Sequence, residues 1–291
     1  MYARGRVRAA VAQIDPKLGE VAHNLELCLA RIEEAAAEGV DLVVLPECAL
    51  PGYVFESLEE ALPFAESIPG PSTEILAAAA ARHGIHVVCG MLERDGDRLY
   101  NAAPLVGPDG LVGSYRKTHL PFLGVDRFVT PGDEIAVFDT KIGRIGIEIC
   151  YDLRFPEVTR ILALAGADVV AHPTNFPLAA RIQTEINTLA RAAENRVFLL
   201  TANRVGKERS GEFCGWSQIV DPYGRRLAEA DGVEETLLVA DLDLRQARDK
   251  DYVIPGEYEL YLFGDRRPEL YGPVAADHPS VRRRKEEAHG R

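Results

Sequence analysis

The stretch "RIGIEICYDLRFPE" (144–157) ends an apolar run with Cys150 and follows it with Tyr151, Asp152 and Arg154. A thiol is a weak nucleophile until it becomes a thiolate, and it needs a base or a positive charge nearby to become one. In open α/β sheets reactive groups collect beyond the carboxyl ends of strands. The residues at such places are Glu47 after "DLVVLP", Lys117 after "LVGSYR", Cys150 after "GRIGIEI" and Asn175 after "ADVVAHPT". Glu47 can take a proton, Lys117 can stabilise a thiolate and then an oxyanion, and Cys150 can attack. Each also has a plain reading: a thiol that packs as a small hydrophobe, a loop carboxylate and a surface lysine. Which applies depends on whether separate strands bring the three together.

No histidine arrangement competes, because the seven histidines include no H-E-x-x-H spacing. His119 reads as a local support of the Lys117 loop, with service to a thiol as the alternative. Glu148 lies two residues before Cys150 and so on the same face of a strand. Burying it is costly without a partner, so it is expected to meet Arg191 or Arg196 or to reach a polar interior, in a structural role with a catalytic one as the alternative. Tyr53, Tyr151, Arg154, Asn175 and Phe176 fall where they can line a pocket: aromatic walls, an amide for hydrogen bonding, and in Arg154 a carboxylate binder or a framework pair for Asp152 or Glu157.

The elements that must carry these residues alternate along the chain. "VRAAVAQI" (7–14), "DLVVLPE" (41–47) and "IHVVCGMLE" (85–93) read as strands, separated by helices over Asn24 to Glu38 and 72–84, the latter capped by Ser72 or Thr73. Turn signals in "ERDGDR" and "GPDG" delimit hairpin strands "LYNAAPLV" and "LVGSYRK". "EIAVFDT", "GRIGIEIC", "ADVVAHP", "RVFLLTANR", "GWSQIVDPYG" and "ETLLVADLDL" are further strands, with helices from Glu157 to Leu164 and from Ile182 to Asn195. Strands this apolar need cover on both faces, and one helical layer cannot supply it. Two sheets packed face to face, each with helices outside, satisfy the pattern.

The 291 residues are 47% hydrophobic and 27% charged, with a net charge of −12. That charge argues against nucleic acid or an anionic membrane as a partner. The basic groups Arg4, Arg6, Arg8 and Arg282, Arg283, Arg284, Lys285 read as solvated tails. Five cysteines with no C-x-x-C pair make neither a disulfide framework nor a zinc pattern. The first residues lack the apolar core of a signal peptide, and no run is long enough to span a membrane, so a cytoplasmic location is expected.

"LVVLPECALPGY", "YRKTHLP", "GIEICYDLRFPE" and "RAAENRVFLLTANRVG" together resemble the nitrilase superfamily of carbon–nitrogen hydrolases, in order from about residue 6 to 272. The resemblance implies a Glu47–Lys117–Cys150 triad in a four-layer α-β-β-α sandwich, without metal or organic cofactor. It also implies homodimers or larger homo-oligomers. Many members carry a second glutamate after the lysine. Here "HLPFLGVDRFVTPGD" has none, and Asp126, one methylene shorter, is the nearest carboxylate. Tyr151-Asp152 replaces the Trp-Glu pair of nitrile-hydrolysing members, so the likeness is to an amidase branch, as is the likeness of "GDRRPELYG" (264–272) to amidase-type endings.

A hydrolase domain over 1–272 and a tail over 273–291 are therefore expected. The expected activity is hydrolysis of a small amide through a cysteine thioester, releasing ammonia. Hydrolysis of an N-carbamoyl amine by the same triad, nitrile hydrolysis, and an inactive oligomerising module are the alternatives.

Overall fold

The structure is a computed structural model that describes residues 5–277. Arg4, the basic group at 282–285 and most of the 273–291 tail lie outside those residues. The chain divides into a main unit up to Arg248 and a second unit from Asp249 onward.

In the main unit, β1 (Arg6–Gln13), β2 (Leu42–Val44) and β3 (His86–Val88) run parallel. Antiparallel strands follow: β4 (Met91–Asp95), β5 (Arg98–Gly107) and β6 (Gly110–Arg116). β3 and β4 share one edge of β5, and β6 takes the other. The second sheet contains β7 (Val137–Thr140), β8 (Gly143–Ile147), β9 (Val169–Pro173) and β10 (Phe198–Ala202). A two-stranded hairpin, β11 (Lys207–Glu208) and β12 (Gly211–Glu212), stands apart from it. β13 (Gln218–Val220) and β14 (Arg226–Glu229) complete the second sheet, and β15 (Thr236–Asp243) returns to pair antiparallel with β1.

The central strands of the two sheets pack on each other. Helices α1 (Val21–Ala37) and α3 (Pro71–His83), with the short α2 (Leu58–Ala61) between them in sequence, belong to the first half, and α1 and α3 cover the first sheet. α4 (Pro156–Leu164) and α5 (Thr188–Asn195) cover the second. The result is the four-layer α-β-β-α sandwich. Residues 9–14, in β1 and just beyond it, are buried on both faces, as a central strand between two layers requires.

Three local expectations are corrected. The cap of α3 is Gly70, not Ser72 or Thr73. Pro71 occupies the first turn, and the Thr73 hydroxyl instead accepts the Gly70 N–H at 2.7 Å. The run 85–93 is two strands, because the chain breaks at Gly90 to pass the loop after β2. Helix 182–195 begins as a π-turn, Gln183–Asn187, before α5. The second unit contains a hairpin, β16 (Asp251–Ile254) with β17 (Tyr258–Tyr261), followed by a short helical end.

Candidate active site

Glu47 follows β2 and is fully buried. Its loop is fixed from below by Gly90, whose N–H reaches Pro46 O at 3.1 Å. A Cβ on Gly90 would stand 2.4 Å from both Cys48 N and Pro46 O, so only glycine admits the loop this closely. Lys117 follows β6, and its backbone N–H continues the ladder onto Asn101 O at 2.8 Å. Its ammonium lies 2.6 Å from Glu47 Oε1 and 2.5 Å from Asp126 Oδ2, all three side chains being shut off from water.

Asp126 thus stands at the lysine despite its shorter side chain. The loop compensates for the missing methylene. Asp126 sits in a 3₁₀ turn, Gly124–Arg127. Gly124 has φ +49°, and a Cβ there would fall 2.5 Å from the Tyr53 ring. The glycine lets the turn press against Tyr53, whose hydroxyl donates to Asp126 Oδ2 at 2.8 Å and lies 3.1 Å from Leu123 O. Tyr53 is therefore more than an apolar wall.

Cys150 belongs to the other sheet. Glu148 N continues the ladder to Ala171 O at 3.1 Å, then the chain turns sharply through Cys150 at φ +48° into a 3₁₀ turn, Cys150–Arg154. Positive φ is costly for a residue with a Cβ. Asp152 holds this elbow to the lysine loop. One oxygen accepts Ile149 N at 3.0 Å and the Tyr115 hydroxyl at 2.8 Å; the other accepts His119 N and the Thr118 hydroxyl, each at 3.0 Å. His119 Nδ1 lies 2.8 Å from that second oxygen, so His119 supports the loop, and it stacks on Phe155.

The electrostatics follow from burial. Desolvation raises the Glu47 carboxyl above its ordinary value, although Lys117 opposes this. Desolvation pulls the Lys117 ammonium down, but Asp126 and Glu47 outweigh it and keep the cation firmly protonated. The Cys150 thiol is pushed up by burial and by Glu47, with Lys117, Thr174 and the Asn175 backbone acting in the opposite sense. Lys117 thus acts in the direction expected of it, favouring the thiolate, but burial acts against it. Burial, and after it the charge of Glu47, therefore disfavours the ionised sulfur. Glu47 Oε2 has no partner, whereas Oε1 is engaged. His172, beside Cys150 O at 3.3 Å, is held neutral, burial lowering it to about 4.

Of the pocket candidates, Asn175 and Phe176 are buried at the end of β9, and both polar atoms of the Asn175 amide lack partners. Tyr151 is half-buried and edge-on to Phe155. Arg154 is exposed, with its guanidinium 5.7 Å from the Tyr151 ring centroid. It makes no ion pair with Asp152, whose oxygens the lysine loop and the elbow occupy, or with Glu157. Glu148 is paired by neither Arg191 nor Arg196: its Oε2 accepts the Thr159 hydroxyl at 2.7 Å, and burial raises it to about 8. Among the described residues no three His, Cys, Asp or Glu side chains are grouped to hold a metal ion.

The family model described as carbon-nitrogen hydrolase matches residues 8–252. A nitrilase of Pyrococcus abyssi is 42% identical over 269 residues, 91% of this chain and 99% of that one. The chain belongs to the carbon–nitrogen hydrolase family. The human omega-amidase NIT2 is 34% identical over 260 residues, covering 85% of this hydrolase and 91% of that protein. A variant of the amidase from Nesterenkonia sp. AN1 superposes with a TM-score of 0.77 at 28% identity, over 94% of this chain and 99% of that one. That variant carries the acetamide moiety of fluoroacetamide covalently on its active-site cysteine.

The hydrolase site also contains residues that motifs do not reveal. Asn101 in β5 bonds Glu47 Oε1 at 2.7 Å and Asp126 Oδ1 at 2.9 Å through one amide nitrogen. Its only signal is a lone amide inside the apolar run "LYNAAPLV". Glu208 accepts the backbone N–H groups of Tyr53 and Val54 at 2.9 and 2.8 Å and pairs with the fully buried Arg204. Nothing in local spacing distinguishes Glu208 from a surface hairpin acid.

Proposed function

We propose that this hydrolase cleaves the C–N bond of a small, uncharged amide through a thioester on Cys150. The observation that carries the reading is the sealed trio of Glu47, Lys117 and Asp126, with one Glu47 oxygen left without a partner and both Glu47 and Lys117 within electrostatic reach of Cys150. The Cys150 thiol gives its proton to Glu47 as sulfur attacks the carbonyl carbon. Lys117 and the Tyr151 backbone N–H stabilise the oxyanion, each such donor contributing on the order of 3 kcal/mol. The intermediate collapses with C–N cleavage, Glu47 returns the proton to the departing nitrogen, and ammonia leaves. Glu47 then takes a proton from water, whose oxygen attacks the thioester; collapse expels the thiolate, which recovers that proton, and the acid departs.

The partnerless Asn175 amide supports a role in binding the substrate amide, since a buried unpaired donor or acceptor costs about 1–3 kcal/mol until a ligand pairs it. A groove of about 340 Å³ lined by Tyr53, Leu123, Pro177, Leu178 and Phe213 is mostly apolar, and its one charged lining residue is Glu212. Tyr53 joins this groove to Asp126, so we propose it as the acyl site; its apolar lining and Glu212 disfavour an acyl group that bears a carboxylate. Phe176, Tyr151 and Arg154 do not line this groove; we assign them to the substrate site from their places just after β9 and in the cysteine elbow. The covalent adduct of the Nesterenkonia amidase variant supports the same nucleophile here.

The name of the Pyrococcus relative makes nitrile hydrolysis the second reading. Ammonia release should be measured from primary amides, N-carbamoyl amines and nitriles, with and without prior iodoacetamide treatment. Primary amides with apolar acyl groups are expected to give the largest kcat/KM, lost on alkylation. Higher kcat/KM on nitriles would transfer the assignment, and alkylation-resistant turnover would remove Cys150 from it. Five buried cysteines without a disulfide support a reducing, cytoplasmic location. No helix among the described residues is long and apolar enough to cross a membrane. A homodimer is proposed from the apolar side chains exposed over the second sheet.

A further inference from the structure

Asn101 is about 1% exposed and sits where three charged groups meet. Its Nδ2 lies 2.7 Å from Glu47 Oε1 and 2.9 Å from Asp126 Oδ1. Its Oδ1 faces the Cys48 thiol at 3.6 Å, which fixes the amide orientation, because a thiol donates to oxygen. Its backbone carbonyl accepts Lys117 N at 2.8 Å. One residue thereby touches the base, the second carboxylate and the strand end that carries the ammonium.

Two carboxylates share one ammonium in a site closed to water, so one negative charge is left uncompensated. A second cation would cancel it but would also hold both acids ionised too firmly to exchange a proton. An amide supplies two N–H donors and no charge. Together with Lys117 it fills Glu47 Oε1, while Oε2 stays without a partner. A carboxylate free to rotate offers either oxygen; one anchored through Oε1 offers a single receiving atom.

We propose that Asn101 is a positioning residue of the reaction: its amide anchors Glu47 through one oxygen, keeps it ionised beside Asp126, and so fixes which atom receives the Cys150 proton. This rests on the Glu47–Lys117–Cys150 reading above.

The test compares Asn101→Leu, similar in size but without donors, and Asn101→Asp, which replaces the donors with a third carboxylate. Steady-state kinetics on a primary amide are recorded across the acidic limb of kcat/KM, with thermal unfolding as the check on folding. A hydrogen bond to the charged form favours it, so removing the bond raises the base's apparent pKa. The limb should move to higher pH in Asn101→Leu and further in Asn101→Asp. The kcat of Asn101→Leu should fall on the order of 100-fold, within the range a misplaced general base costs, with a smaller change in KM. A residue that merely packs would lower stability or kcat and leave the limb in place.

An unmoved limb in a folded Asn101→Leu, or wild-type turnover in Asn101→Asp, overturns the proposal. Should Asn101→Leu fail to fold, Asn101→Ala, which fits the space and removes both donors, must give a limb displaced above wild type; an unmoved limb there is equally fatal. Cys150→Ala separates the two claims. If it retains turnover the triad reading falls, whereas an inactive Cys150→Ala alongside an unmoved limb removes only the role of Asn101.

Discussion

Lys117 remains an ammonium without water because two carboxylates stand within 2.6 Å of it, and their attraction exceeds the cost of desolvation. Burial and the charge of Glu47 push the Cys150 thiol up, so the proposed mechanism has Glu47 take its proton as sulfur attacks. Cys150→Ala is therefore expected to abolish ammonia release with an unchanged unfolding temperature; substantial residual turnover would end the proposal. Glu148 has a different part. The folded chain keeps its proton up to about pH 8, whereas an ordinary glutamate carboxyl titrates near 4.5. Between those values the folded state binds more protons, so this group's contribution to stability is complete below the lower value and lost as pH rises through the upper one. Glu148→Gln carries no charge at any pH. Its unfolding temperature relative to wild type should rise by several degrees from about pH 5 to about pH 8.5, with amide hydrolysis retained. A pH-independent difference would contradict the assignment, and a large loss of rate with unchanged stability would make Glu148 part of the reaction.

Among the elements, the decisive ones are short irregular segments at strand ends. The break at Gly90 between β3 and β4 makes room for the Glu47 loop, and the turn at Gly124 brings a short carboxylate to Lys117. Gly90→Ala places a methyl 2.4 Å from two backbone atoms, so the loop has to move. The expected result is a fall in kcat/KM on the order of 100-fold, the cost of a misplacement near 1 Å. Stability should fall by about 1–3 kcal/mol. Unaltered kinetics on a primary amide would show that the loop tolerates displacement. The strands themselves are legible in the sequence because their apolar runs are long. The break at Gly90 is not, since "IHVVCGMLE" is continuous in hydrophobicity and only the neighbouring loop requires the interruption. The cap at Gly70 is hidden for a similar reason: Ser72 and Thr73 are good caps, but Glu66 binds the Ser72 hydroxyl and Pro71 already fits the first turn.

At the scale of the molecule, the helices over the second sheet leave Ile161, Leu164, Ile182 and Ile186 exposed at 43–56%. α4 and α5 pack together, and Ile182 and Ile186 lie at the π-turn that runs into α5, so these side chains belong to one helical layer. A second copy of the chain is the proposed cover. Light scattering on the purified protein should give at least twice the 31.9 kDa chain mass, and Leu164→Glu with Ile186→Glu should reduce it towards one chain. A monomeric wild type would refute this.

What the sequence determined by itself was the list of reactive groups and the layered architecture. Alternating apolar strands and helices demand two covered sheets, and a carboxylate, an ammonium and a thiol stand at strand ends whatever the packing. What only the tertiary structure decided was their company. Glu47 and Lys117 end strands of one sheet and Cys150 follows a strand of the other, so the face-to-face packing sets their meeting, which no local spacing encodes. Asn101, Asp126 and Asp152 acquire their parts in the same way: a polar side chain's partners across a sandwich are fixed by which backbones approach, and only the folded chain specifies that.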